Sequence, residues 1–150
     1  MTPAAVEDAL RRMGEGADEA IDLAEAALLC AAHERSNLDL EPSRLHLAEI
    51  AGAMKQAAAL DGLKPGDDKL EACCDALRYV LAEKFGYRGD EESYDDLRNA
   101  DLVEVIQRRR GLPVALSILY IHAARSLGWR IEGLNFPGHF VIRLHGERQA

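Results

Sequence analysis

At 150 residues, 48% hydrophobic and 29% charged, the chain is long enough for one domain to bury a core without metal or disulfide staples. Its net charge of −8 argues against nucleic acid as a partner, and no apolar run approaches the length of a membrane span. The acidity is uneven, because residues 1–100 carry 22 acidic and 11 basic side chains whereas residues 101–150 carry 4 and 7.

Residues 1–17 lack the basic-then-apolar order of a secretion signal and read as an N-terminal tail, with the cytoplasm as the default location. Residues 18–110 read as the helical part of a single domain. Asp18 opens a helix whose stripe is Ile21, Ala24, Leu28 and Ala31, and "SNLDLEP" breaks it. Pro42 suits the first turn of the next helix, which runs to about Leu60. Beyond a loop, Asp67 is expected to cap a helix with Leu70, Cys74, Leu77, Leu81 and Phe85 on one face and Gly86 as its stop. Cys30, Cys73 and Cys74 lack the spacing of a metal or redox pair and read as small buried apolar residues.

"DEESYDD" has neither the glycine nor the terminal glutamate of a calcium loop and reads as an acidic surface segment. Asn99 or Asp101 can cap a short helix closed by Gly111, on which "QRRR" would be a solvated end suited to the helix dipole. Residues 111–150 form the last part. Pro113 starts a helix with the stripe Leu116, Leu119, Tyr120, Ala123 and Leu127, and Gly128 ends it. The period then changes to two across "WRIEGLNF" and "HFVIRLH", a hairpin about a Pro-Gly turn. Helices followed by strands make the fold class α+β rather than alternating β-α-β. Two strands alone are marginal, so a third strand beyond residue 150 is expected and the core reads as truncated.

The segments "EKFGYRGD", "RRRGLPVALSILY" and "PGHFVIRL" together resemble the bacterial SirB-type transglutaminase-like family. The likeness extends over roughly residues 18 to 145 and departs at Leu97 and Ala100, where that family usually has Pro and Ser. The resemblance implies a papain-like core in the wider superfamily. There a cysteine stands at a helix N-terminus, where its thiol pKa falls, and histidine and aspartate follow on adjacent strands. It also implies association with regulation, and in many members tetratricopeptide repeats after the core.

Counted back from Gly128, the cysteine position falls at Pro113, which has no thiol, hydroxyl or N–H. The aspartate strand is not within the chain. His139, which would be the base, is then either vestigial or a ligand contact, or else simply stabilises the hairpin. Ser117, one turn below Pro113, is the only substitute nucleophile near the helix start, and a helical serine there can equally bond the carbonyl one turn back. Pro113, Ser117, Trp129 and His139 make up the candidate binding cleft, although Trp129 reads more naturally as core. His33, His46, His122 and His145 have no metal-ligand spacing, and no cofactor is expected. The expected function is a non-catalytic domain that binds a protein or peptide, with self-association possible through the strand "HFVIRLH". The alternative is an amide hydrolase or acyl transferase using Ser117 and His139, with its aspartate supplied from outside.

Overall fold

The computed structural model describes residues 1–63, 69–136 and 139–146. Helix α1 (Pro3–Glu15) occupies most of the stretch read as a tail. Thr2 Oγ1 accepts the Ala5 N–H at 3.2 Å, Pro3 takes the first turn, and Val6 is buried against α2 (Leu23–Glu34). Val6, Ala9, Leu10 and Met13 lie on one stripe at helical spacing, a pattern that composition alone hides. Asp18 opens a separate 3-10 turn, and Asp22 caps α2 through the Glu25 N–H at 3.1 Å.

Helix α3 (Glu41–Leu60) begins with Pro42 in its first turn, as its sequence predicts. The cap expected at Asp67 lies outside the described residues. Helix α4 (Leu70–Arg78) runs into a π-helical turn, Tyr79–Lys84, and the chain reverses at Gly86. The buried face of this segment is centred on Leu77 and Leu81 but includes Cys73, not Cys74. Cys30 and Cys74 are exposed, which corrects their reading as core residues; only Cys73 is buried.

Two very short strands come next in register. β1 (Arg88–Gly89) pairs in parallel with β2 (Arg110–Gly111), Arg88 opposite Arg110 and Gly89 opposite Gly111. Between them lie a 3-10 turn (Leu97–Ala100) and α5 (Leu102–Arg108). Asp101 caps α5 by accepting the Glu104 N–H at 3.2 Å, whereas Asn99 is fully buried and serves elsewhere. The left-handed residue that ends α5 is Arg109, at φ 60°, not Gly111. Gly111 is needed for a different reason: a Cβ there would stand 2.8 Å from Val105 Cγ2.

Helix α6 (Pro113–Ser126) is the centre of the molecule, packed by α2, α3, α4 and α5 and by the hairpin of β3 (Arg130–Phe136) and β4 (His139–His145). Its buried residues, Ala115, Ser117, Leu119, Ile121, Ala123 and Ala124, spread round the helix rather than along the single stripe expected. A helix covered on several sides has no solvent face to be amphipathic about. Fully burying a side chain such as Leu119 contributes about 1.5–3 kcal/mol. At its C-terminus Gly128 adopts φ 75°, and the Trp129 and Gly128 N–H groups return to the carbonyls of Ala124 and Arg125 at 3.1 and 3.0 Å. That paired return closes the helix and aims the chain into β3. β3 and β4 are antiparallel, with Ile131 opposite Leu144 and Gly133 opposite Ile142. The fold is α+β, a helical layer on which a small antiparallel sheet is laid.

Candidate functional site

Pro113 is the first residue of α6, and its side chain and that of Val114 are exposed. Leu112 offers no side-chain cap, and no acidic residue lies in the first turn. Ser117 is buried, and its hydroxyl donates to the Pro113 carbonyl at 2.7 Å. Helix and strand β3 are matched in length, at about 21 Å and about 23 Å for 14 and 7 residues. β3 leaves the end of α6 and packs back beside it, so His139, opposite Phe136 at the far end of β3, is carried away from Trp129. His139 is exposed and makes no hydrogen bond among the described residues. Trp129 lies beyond the other end of α6, about 20 Å along the axis from Pro113, and is buried with its Nε1–H unpartnered among the described residues. Pro113 and Ser117 thus meet through the helix, Trp129 is remote from them, and no hydrogen bond joins Ser117 to His139 among the described residues.

Polar organisation is denser where "FGYRGD" and "RRRG" come together. The three arginines read as one solvated run have three separate environments. The left-handed turn at Arg109 is the cause, because it takes the chain from helix to strand within two residues. Arg109 points inward: its Nη1 donates to Tyr87 Oη at 2.6 Å and lies 2.5 Å from His46 Nε2, and its guanidinium stands over the Tyr87 ring. Tyr87 Oη is 2.7 Å from the same His46 nitrogen, and Phe85 meets the imidazole edge-on. With a guanidinium donor against it, Nε2 must carry the lone pair. Burial, then the Arg109 charge, lowers the His46 pKa to about 4, and burial raises that of Tyr87 to about 12. His46 is therefore neutral and its basic nitrogen is occupied. The cluster ties α3 to the β1 and β2 segments and is not placed to accept a substrate proton.

Arg108 turns the other way. Its Nη2 meets Asp90 Oδ2 at 3.0 Å and its Nη1 donates to Asn99 Oδ1 at 3.1 Å. Asn99 Nδ2 donates to the Ser93 carbonyl at 2.8 Å, and the Ser93 N–H donates to Asp90 Oδ1 at 2.9 Å. The Ser93 N–H, followed by Asn99 and Arg108, lowers the Asp90 pKa. The acidic segment 90–96 lies largely on the surface, as its composition predicts, and is clamped at Asp90 to α5. Arg110 Nη1 donates to the carbonyls of Arg109 and Gly86 at 2.8 and 3.3 Å. The signal for this arrangement was in the sequence, since both segments were among the three most specific pieces of the resemblance, but nothing local indicated that they pair.

A helical layer, a central helix that begins at a Gly-Leu-Pro step and a hairpin laid on that helix define a transglutaminase-like domain. The comparisons agree: the transglutaminase-like superfamily matches residues 41–150, and the chain belongs to it. A UPF0162 protein of Vibrio cholerae is 34% identical over 132 residues, 87% of this chain and 47% of that protein. A UPF0162 protein of Xylella fastidiosa is 44% identical over 69 residues, 46% of this chain and 25% of that protein. The likeness is not confined to bacteria, since mouse F-box only protein 21 is 39% identical over 69 residues, 46% of this chain and 11% of that protein. The chain spans less than half the length of these curated relatives. No solved structure matches it. Among the described residues no helix is long and apolar enough to cross a membrane.

Proposed function

We propose that this chain is a non-catalytic, SirB-type member of the superfamily, a cytoplasmic regulatory module that binds an extended protein or peptide segment. The observation that carries the reading is at the start of α6. Where the resemblance puts the superfamily's cysteine stands Pro113, and the nearest hydroxyl, Ser117, is buried with its proton committed to the Pro113 carbonyl at 2.7 Å. A nucleophile must present its oxygen to substrate and its proton to a base, and Ser117 does neither. Binding makes no such demand. Among the described residues β4 pairs with β3 alone, so one edge of β4 offers unpaired main-chain groups. Val141 is exposed on its outward face, while Ile142 and Leu144 pack on the core. Such an edge suits the addition of a strand, with main-chain bonds giving affinity and alternate side chains giving selectivity.

Two measurements test this reading. An electrophilic peptide-amide probe is expected to label nothing in a manner that depends on Ser117 or His139. Labelling abolished by both Ser117→Ala and His139→Ala would sink the non-catalytic reading. A displayed library of extended peptides is expected to yield binders that slow hydrogen exchange along β4 and weaken about tenfold in Val141→Lys, roughly 1.4 kcal/mol. Binders that protect other segments and leave β4 exchange unchanged would remove the edge from the proposal.

A further inference from the structure

The pairing of β1 with β2 builds a second feature that the hairpin reading does not use. A cleft of about 560 Å³ opens over these strands, lined among others by Arg88, Arg108, Arg110, Glu91, Glu92 and Ser93. The volume lies within the usual range of small-ligand sites, about 300–1,000 Å³. Arg88 and Arg110 are opposite each other in the parallel register, so their backbones are about 4.8 Å apart and both side chains leave from one face. Two like charges held side by side repel unless something between them is negative. Among the described residues neither guanidinium has a carboxylate partner, and Arg110 is bonded only to main-chain carbonyls. The third guanidinium, Arg108, is already neutralised by Asp90.

The walls are formed in advance. Asp90, Asn99 and Ser93 lock the 90–93 loop to Arg108, and Asn99 at the centre of that lock is fully buried. Gly89 also lines the cleft. Its φ is not left-handed and a Cβ there would meet nothing within 4 Å, so neither backbone conformation nor packing in this chain calls for glycine. A bare main chain beside two guanidiniums suits a ligand that approaches backbone N–H groups closely.

We propose that this cleft binds a phosphate monoester, held between Arg88 and Arg110. Two guanidiniums without a carboxylate partner among the described residues match the charge of about −1.5 to −2 on such a group better than the single charge of a carboxylate. Glu91 and Glu92 on the lining limit what else enters, because an extended polyanion such as nucleic acid would have to run past both. The ligand is therefore compact, with its charge in one place. The source is either a small phosphorylated molecule or a phosphorylated side chain of a peptide.

The experiment is calorimetric titration of the chain at low salt with inorganic phosphate, O-phosphoserine, a short phosphoserine peptide and glutarate. The phosphate compounds are expected to bind and glutarate to bind at least tenfold more weakly. Arg88→Gln, at an exposed position, is expected to weaken phosphoserine about 10- to 100-fold, as loss of a hydrogen bond to a charged group does. Arg143→Gln on the hairpin is the control and should change nothing. The double variant Glu91→Gln/Glu92→Gln should bind more tightly, a gain that no folding defect can mimic. Tighter binding of the peptide than of free phosphoserine assigns the phosphopeptide source, and equal binding assigns the small molecule. Glutarate binding as well as phosphoserine, an unchanged affinity in Arg88→Gln, or no heat from any phosphate compound each overturns the proposal. Neither Arg88→Gln nor Glu91→Gln/Glu92→Gln touches β4, so the outcome at the cleft is independent of the edge-strand test.

Discussion

Replacing Gly111 with alanine separates two explanations of why glycine stands there. If Gly111 were the helix stop, its cost would be backbone strain at positive φ. Among the described glycines, however, positive φ occurs at Gly62, Gly86 and Gly128, and Gly111 is not one of them. At an ordinary φ, Gly→Ala by itself stabilises by about 0.4–1 kcal/mol, because the unfolded chain loses freedom. The opposing effect is steric. The new Cβ would lie 2.8 Å from Val105 Cγ2, 3.0 Å from Val105 Cγ1 and 3.4 Å from the Asn99 carbonyl oxygen. Val105 is fully buried and, being β-branched, has one strongly preferred side-chain rotamer in a helix, so it cannot swing away. Overpacking of this kind costs about 1–3 kcal/mol, which leaves a net loss of up to about 2.6 kcal/mol. At about 2–4 °C per kcal/mol for a chain of this size, the melting temperature should fall by up to about 10 °C.

The assay is a double-mutant cycle by urea and thermal unfolding of Gly111→Ala, Val105→Ala and their combination. Val105→Ala alone leaves a hole and costs on the order of 2 kcal/mol. In the double variant the new methyl sits in the space the valine vacated, so the two losses should fall short of their sum by about 1–2 kcal/mol. Effects that simply add to within about 0.5 kcal/mol, or a Gly111→Ala chain more stable than the parent, would refute the packing argument.

The remaining predictions concern titration, the helix start and the sheet edge. His46 has its pKa lowered from 6.5 to about 4, so below pH 6.5 the unfolded chain takes up a proton that the folded chain refuses. Its contribution is complete above about pH 6.5 and declines toward pH 4 at up to about 1.4 kcal/mol per pH unit; in urea titrations between pH 6.5 and 5, His46→Gln should flatten that slope, and an identical slope would refute the assignment. Pro113→Cys places a thiol at the exposed first residue of α6, where the helix terminus should bring its pKa below the ordinary value of about 8.5; thiolate absorbance against pH reads it, and an unshifted value would mean that the helix start is misplaced. The edge of β4 that has no partner among the described residues should make the chain self-associate with rising concentration, and Val141→Lys should suppress this in light scattering. A strict monomer with β4 amides protected from exchange would show that the edge is covered from within.

Local chemistry was enough to place α6 and the hairpin. Pro113 fixes φ for a first helical turn and lacks only an N–H that a helix start would leave unbonded, and Gly128 takes a positive φ that other residues resist. The change of period after Trp129 then identifies strands, since that alternation belongs to the residues themselves. The same holds for Pro42 at α3 and Asp101 at α5. The β1–β2 pair is different in kind. Two residues on each side have no period to read, and what holds them is a parallel register between segments 22 positions apart, with the Arg88 N–H reaching the Arg109 carbonyl at 3.2 Å. Which of three consecutive arginines turns inward likewise depends on a single left-handed residue and on where His46 and Tyr87 already stand. The stripes read on α4 and α6 account for only part of what those helices bury for the same reason: burial is decided by how many neighbours cover a helix and from which side. Periodicity within one segment records its own geometry, whereas the arginine cleft, the buried His46 cluster and the all-round burial of α6 exist only once distant segments pack together.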